Sequence, residues 1–157
     1  METTETVIVR PFCREDVPQL YAFMRALAEF EGYIDRFRVA EKDLIKHGLG
    51  KRRKFASYVA VNPHEPTVLL GMAVTYAVGW TYEMRPTIVL KELYVRAQSR
   101  GMGIGKRLMA EVRREAKVLG AAKVCWTVLH GNSAAEAFYR EIGGEPDVNW
   151  NNWIMSL

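Results

Sequence analysis

Apolar residues recur along this chain with two periods, one helical and one strand-like. Val17, Leu20, Met24 and Leu27 stand three or four apart, the spacing of a single helix face. Asp16, with Gln19 three residues on, is expected to cap that helix, and Gly32 to end it. Four residues beyond Leu27 lies Glu31, expected either as a carboxylate turned to a cleft or as an ordinary surface acid at a helix end. A first strand is expected over residues 6–10, ended by Pro11, and a second short helix over 41–47, with Gly48 or Gly50 as its stop. Residues 55–61 and 68–78 read as two strands of an antiparallel hairpin around the Asn62-Pro63 turn, with Gly71 expected at a bulge. Residues 79–86 read as a loop holding Trp80, Tyr82 and Glu83, and 88–95 as the next strand. Ile104, Leu108, Val112, Ala116 and Leu119 line one side of a helix over 103–119, which Gly120 stops. Residues 123–129 read as a strand, 133–142 as a helix with a Ser133/Glu136 capping box, and 149–157 as a last strand. The fold class expected is α/β, mixed with α+β character: a central, mostly antiparallel sheet flanked by helices. One parallel pair is expected across the strand–helix–strand unit.

The stretch Arg100-Gly101-Met102-Gly103-Ile104-Gly105-Lys106 joins the strand at 88–95 to the helix that follows. The first N–H groups of a helix lack internal partners, and the helix dipole adds positive charge there. Glycines let a phosphate come close to such a backbone. A nucleotide-binding P-loop needs four residues between its first glycine and the Gly-Lys pair; here there are three, and Arg107 stands where Ser or Thr would hold magnesium. The dinucleotide fingerprint G-x-G-x-x-G does not fit the alternating glycines either. What fits is Arg-x-x-Gly-x-Gly, read on Arg100, Gly103 and Gly105. This resembles the coenzyme A pyrophosphate loop of the GCN5-related N-acetyltransferase (GNAT) superfamily. The element order resembles that superfamily's mixed sheet as well, so the likeness covers essentially the whole chain.

Composition fits a soluble globular protein: 49% hydrophobic and 25% charged residues in a length of 157, most simply one domain over 1–157. No apolar run is long enough to span a membrane, and the start, Met1-Glu2-Thr3-Thr4-Glu5, is too acidic for a secretory signal. Cys13 and Cys125 lie far apart with no metal-type spacing. They are expected to be small buried hydrophobes in a reducing, cytoplasmic compartment, and no metal is expected. A net charge of +4 is compatible with an anionic cofactor and too small to imply nucleic acid. The basic run Lys51-Arg52-Arg53-Lys54 lacks interleaved aromatic residues and reads as a solvated turn.

A narrower resemblance, to the spermidine/spermine and thialysine N-acetyltransferase branch, rests on several stretches. They are Leu27-Ala28-Glu29-Phe30-Glu31, Glu41-Lys42-Asp43-Leu44, Gly48-Leu49-Gly50, Leu93-Tyr94-Val95, and residues 132–144 with Ala137-Phe138-Tyr139 inside. The resemblance implies transfer of acetyl from acetyl-CoA to a primary amine of a small molecule, and a homodimer. It implies a cofactor site at Leu93, Tyr94, Val95, residues 100–106 (Met102, Ile104 and Lys106 among them), Asn132 and Phe138. It implies Val95 N–H as the donor to the oxyanion and Tyr139 as the acid for the leaving thiolate. Asn132 is expected on the pantetheine arm or as a turn and helix cap. Glu31 is implied in the acceptor site, and Glu92 is the other candidate base. One departure stands out. Where an acidic pair is expected, the chain has Lys91-Glu92, and residues 76–80 lack an expected aspartate. That favours a smaller amine, such as a lysine analogue or amino acid, over a polycation. The competing expectations are a peptide or protein N-acetyltransferase and a non-catalytic acyl-CoA-binding module.

Overall fold

The computed structural model describes residues 6–157, so the polar stretch 1–5 lies outside the described residues. In chain order the elements are β1 (Ile8–Pro11), α1 (Val17–Glu31), α2 (Glu41–Gly48), β2 (Ala56–Asn62), β3 (Glu65–Gly79), β4 (Pro86–Val95), α3 (Ile104–Val118), β5 (Lys123–Cys125) and α4 (Ser133–Glu141). The chain divides into two compact units, one reaching to Thr127 and the other Val128–Leu157.

The first unit holds a five-stranded sheet in the order β1-β2-β3-β4-β5. Three neighbouring pairs are antiparallel, and β4 with β5 is parallel, as expected for strands joined through α3. On one face the α1 stripe of Val17, Leu20, Met24 and Leu27 packs with Leu44, Phe55, Val59, Leu69 and Met72 in a single core. The other face takes α3, which buries Ile104, Leu108, Met109, Val112 and Ala116. Leu119, expected on that buried side, is 48% exposed, because it is the residue that closes the helix rather than part of its face.

Asp16 is the N-cap residue of α1, as expected, but neither its side chain nor that of Gln19 makes the expected capping bond to the helix. The Asp16 carboxylate takes both guanidinium N–H groups of Arg10, at 2.7 and 3.0 Å, and the N–H of Cys13 at 2.8 Å. The Gln19 amide donates to Thr67 O at 2.7 Å and accepts from Leu69 N–H at 2.9 Å, tying α1 to β3. Cys13 is exposed rather than buried, with its thiol donating to Asp16 at 3.2 Å; Cys125 is half-buried. At α4 the cap is Asn132, not Ser133: its side-chain oxygen accepts from Ala135 N–H at 3.2 Å.

Strand limits also shift. β5 ends at Cys125 instead of 129, and residues 149–157 form no strand. A strand needs a partner edge for its backbone groups, and apolar and aromatic content alone supplies none. β3 carries one extra residue, Leu70, between Leu69↔Val61 and Gly71↔Ala60. Beside this bulge, Gly71 lets three elements meet: a Cβ there would lie 2.8 Å from Tyr94 O and 3.2 Å from both Ile104 Cγ2 and Leu108 Cδ1. Because β4 and the start of α3 must both give way to a methyl group, Gly71→Ala is expected to lower stability by about 1–3 kcal/mol. Urea unfolding of the two proteins measures the difference.

Candidate active site

The geometry of β4 sets two features. The first is an open edge. The parallel ladder with β5 ends at Val89↔Cys125, so residues 90–95 of β4 run on past it. Main-chain groups of a strand point alternately to its two sides. Arg96 N–H donates to Leu70 O on β3 at 2.9 Å, so the main-chain groups of Val95 and Leu93 turn to the outer edge. There Val95 O accepts from Arg100 Nε at 3.1 Å, and the Arg100 guanidinium lies over the Tyr94 ring at 5.9 Å.

The edge runs into the glycine loop. Gly101 and Gly103 have φ of 78° and 76°, the left-handed region that L side chains resist, and Gly103 is the residue before the first turn of α3. A Cβ at either position would meet nothing within 4 Å, so both face open space. The first turn of α3 holds no acidic residue, and no side-chain hydrogen bond caps it. Exposed N–H groups, a helix N-terminus and the nearby cation Lys106 suit a diphosphate; the Arg107 guanidinium instead donates to Val7 O at 3.3 Å. The residues present therefore fit the pyrophosphate of coenzyme A.

The second feature is a cluster of ionisable groups. Glu92, on β4, lies opposite Val74 of β3. Glu31 is the last residue of α1. Burial, then the neighbouring Glu31 carboxylate, push Glu92 up from the usual 4.5 to about 7, while Lys91 pulls the other way. Glu31 is raised by partial burial and drawn back by Lys91. The Tyr33 hydroxyl is pushed up to about 12 by burial, Glu92 and Glu31, and Tyr76 is raised by burial and Glu92. The fold thus brings together Glu31, Glu92 and Lys91, which the sequence singles out, with Tyr33 and Tyr76, which it does not. The only local signal for Tyr33 is its place two residues past the end of α1; for Tyr76, it is a strand position of the same parity as Val74.

Asn132, Phe138 and Tyr139 belong to the second unit. Asn132 caps α4, and the Phe138 and Tyr139 rings meet edge-on at 5.3 Å. The basic residues 51–54 lie exposed between α2 and β2.

Residues 17–143 match the profile of the Acetyltransferase (GNAT) family. The chain is 28% identical over 153 residues to thialysine N-epsilon-acetyltransferase of Sus scrofa, covering 94% of this chain and 89% of that one. It is 27% identical over 152 residues to the Bos taurus protein of the same name, covering 94% and 89%. Among solved structures it resembles an aminoglycoside acetyltransferase from an uncultured soil metagenomic sample, in complex with sisomicin. The TM-score there is 0.78 at 17% identity, with 96% of each chain covered. At that identity the likeness is one of fold.

The Glu92 shift has a consequence for stability. A carboxyl whose value is higher in the folded than in the unfolded chain stabilises the fold fully below the unfolded value. That stability is lost as pH rises through about 7. Glu92→Gln is therefore expected to raise the thermal midpoint at pH 8 and leave it nearly unchanged at pH 4, measured by calorimetry at both.

Proposed function

The chain belongs to the acetyltransferase (GNAT) family and is an N-acetyltransferase, and from that premise we propose that it moves an acetyl group from acetyl-CoA to a primary amine of a small molecule. The observation that carries this reading is the place of Glu92, largely withdrawn from water on the strand that runs into the glycine loop and within reach of the charge of Glu31 at the end of α1. Acetyl-CoA, held by the main-chain amides of residues 101–106 with Arg100 and Lys106, supplies the acyl group as a thioester. Leu93, Tyr94 and Val95, with Asn132 and Phe138, complete its contacts.

An amine of the lysine kind has a pKa near 10.4, so it reaches the site as an ammonium. Glu31 and Glu92 attract it. Glu92 accepts its proton, because a carboxylate with a pKa of about 7 is a far better base than an ordinary one and is still ionised in half the molecules at neutral pH. The free nitrogen lone pair then forms the C–N bond as the C–S bond breaks. The outward-turned N–H of Val95 donates to the oxygen that gains negative charge at the carbonyl. The thiolate that leaves takes a proton from the Tyr139 hydroxyl; the attacking nitrogen sheds its second proton through water to restore that hydroxyl, and Glu92 passes the first to bulk water. Glu31 serves mainly by its charge, which keeps Glu92 basic and draws in a cation.

We place the whole chain in one catalytic domain, acting in the cytoplasm on a small amine, with no role for nucleic acid or a membrane. No helix among the described residues is long and apolar enough to cross one. We further propose a homodimer. Trp150, Trp153, Ile154 and Met155 are 68 to 93% exposed, a run of apolar side chains that suits a second copy.

Incubation of a panel of primary amines with acetyl-CoA, followed by thiol release, tests the reading. Glu92→Gln and Tyr139→Phe are each expected to lower kcat by about 10²–10⁴-fold with coenzyme A binding retained in calorimetry. In the wild type, log kcat/KM is expected to rise with pH up to about 7. Unchanged turnover in both variants, or turnover on peptides and on no free amine, would overturn it.

A further inference from the structure

The strand pairing around Glu92 is irregular. Val74 pairs with Glu92 and the next residue, Thr75, pairs with Leu90. Lys91 is therefore an extra residue in β4, opposite no residue of β3. A bulge of this kind re-aims a side chain, and bulges gather beside active sites. In a regular strand Lys91 would lie on the face opposite Glu92. At the bulge it is exposed, and its ammonium acts on both Glu92 and Glu31.

The charges in the cluster can then be counted. In the form of the enzyme with Glu92 ionised, the form that can take a proton from the amine, Glu31 and Glu92 carry two negative charges and Lys91 one positive; Tyr33 and Tyr76 are neutral hydroxyls. The sum is one negative charge. An acceptor of net charge +1 neutralises it, whereas a diamine brings +2 and leaves a positive charge unpaired beside Lys91. A molecule with two amines and one carboxylate brings +1, and its carboxylate has a cation to meet. Leaving a charge without a partner in a partly desolvated site is the costly outcome.

We propose that Lys91, set at the bulge in β4 beside Glu92, binds the carboxylate of the acceptor and so selects amino-acid-like amines over diamines. This rests on the reading of the chain as a small-molecule amine acetyltransferase. The preference is set by one side chain on a strand bulge, and the two carboxylates remain to handle the reacting amine.

Lysine and 1,5-diaminopentane test this directly, since they have the same two amines and the same chain between them and differ by the carboxylate. The wild type is expected to have the higher kcat/KM on lysine. Lys91→Met is expected to reduce the lysine-to-diamine ratio by about tenfold or more, the effect of losing one charge-assisted contact. Lys91→Glu is expected to invert the ratio, and Lys91→Arg to preserve it. Lys91 is exposed, so these variants are expected to fold. A ratio unmoved by Lys91→Met and Lys91→Glu overturns the inference. So does a wild type that favours the diamine, or one that acetylates other amines but neither of this pair; in these cases the amine acetyltransferase reading stands. Thiol release on no amine in the panel, with coenzyme A still bound, overturns that reading and this inference with it.

Discussion

A carboxyl withdrawn from water resists ionisation, and the charge of a second carboxylate adds to that resistance. Glu92 is in that position, with the more exposed Glu31 as the second carboxylate, and the rest of the site answers to it. Burial and the charge of Glu31 lift Glu92 into the range where it gains and loses a proton near pH 7. Lys91 offsets part of the repulsion, and the Tyr33 and Tyr76 hydroxyls, raised by burial and by the charge of Glu92, stay neutral. The fold carries an electrostatic strain here, which an arriving ammonium would relieve.

The strain is supported by ordinary packing at some distance. α1 must end where it does for Glu31 to reach the cluster, and Gln19 fixes that helix along β3 through two hydrogen bonds to Thr67 and Leu69. On the other face, Thr75 Oγ1 donates to Glu115 Oε2 at 3.0 Å, holding α3 to the same strand one residue from Val74, the partner of Glu92. Gly71 allows β4 and the first turn of α3 to close on β3. The result is a rigid frame: one strand carries the ionisable cluster at Glu92 and, three residues later, the outward-turned amide of Val95, and then enters the glycine loop. A site built on a strand and a helix start is more exact than one built on loops.

β4 also shows how an irregularity is put to use. Its bulge at Lys91 and the early end of its ladder with β5 are both departures from regular pairing. The first moves a cation toward the carboxylates. The second leaves main-chain groups at the outer edge of β4 free of a strand partner, among the described residues, just before the loop that suits a diphosphate. Regular pairing over the full length of β4 would have covered both.

Much of this was legible in the residues. Apolar spacing placed the helices and most strands, because burial on one face imposes a period whatever the neighbours are. The glycine spacing at 101–105 marked the anion cradle, because left-handed backbone at Gly101 and Gly103 is a local demand. Glu31 was marked as a carboxylate in line with an apolar stripe. Other features were decided only in three dimensions. Asp16 and Gln19 look like caps in sequence, but Arg10 and β3 compete for them and win, because a charged or doubly bonded partner outweighs a local one. Residues 149–157, expected as a last strand, form none, since pairing depends on an edge that sequence does not specify. The shift of Glu92 and the placing of Lys91 belong to the same class. A strand's own sequence tells how its side chains alternate, but a bulge depends on the register against a neighbour, and a proton affinity depends on which charges the whole chain brings within reach.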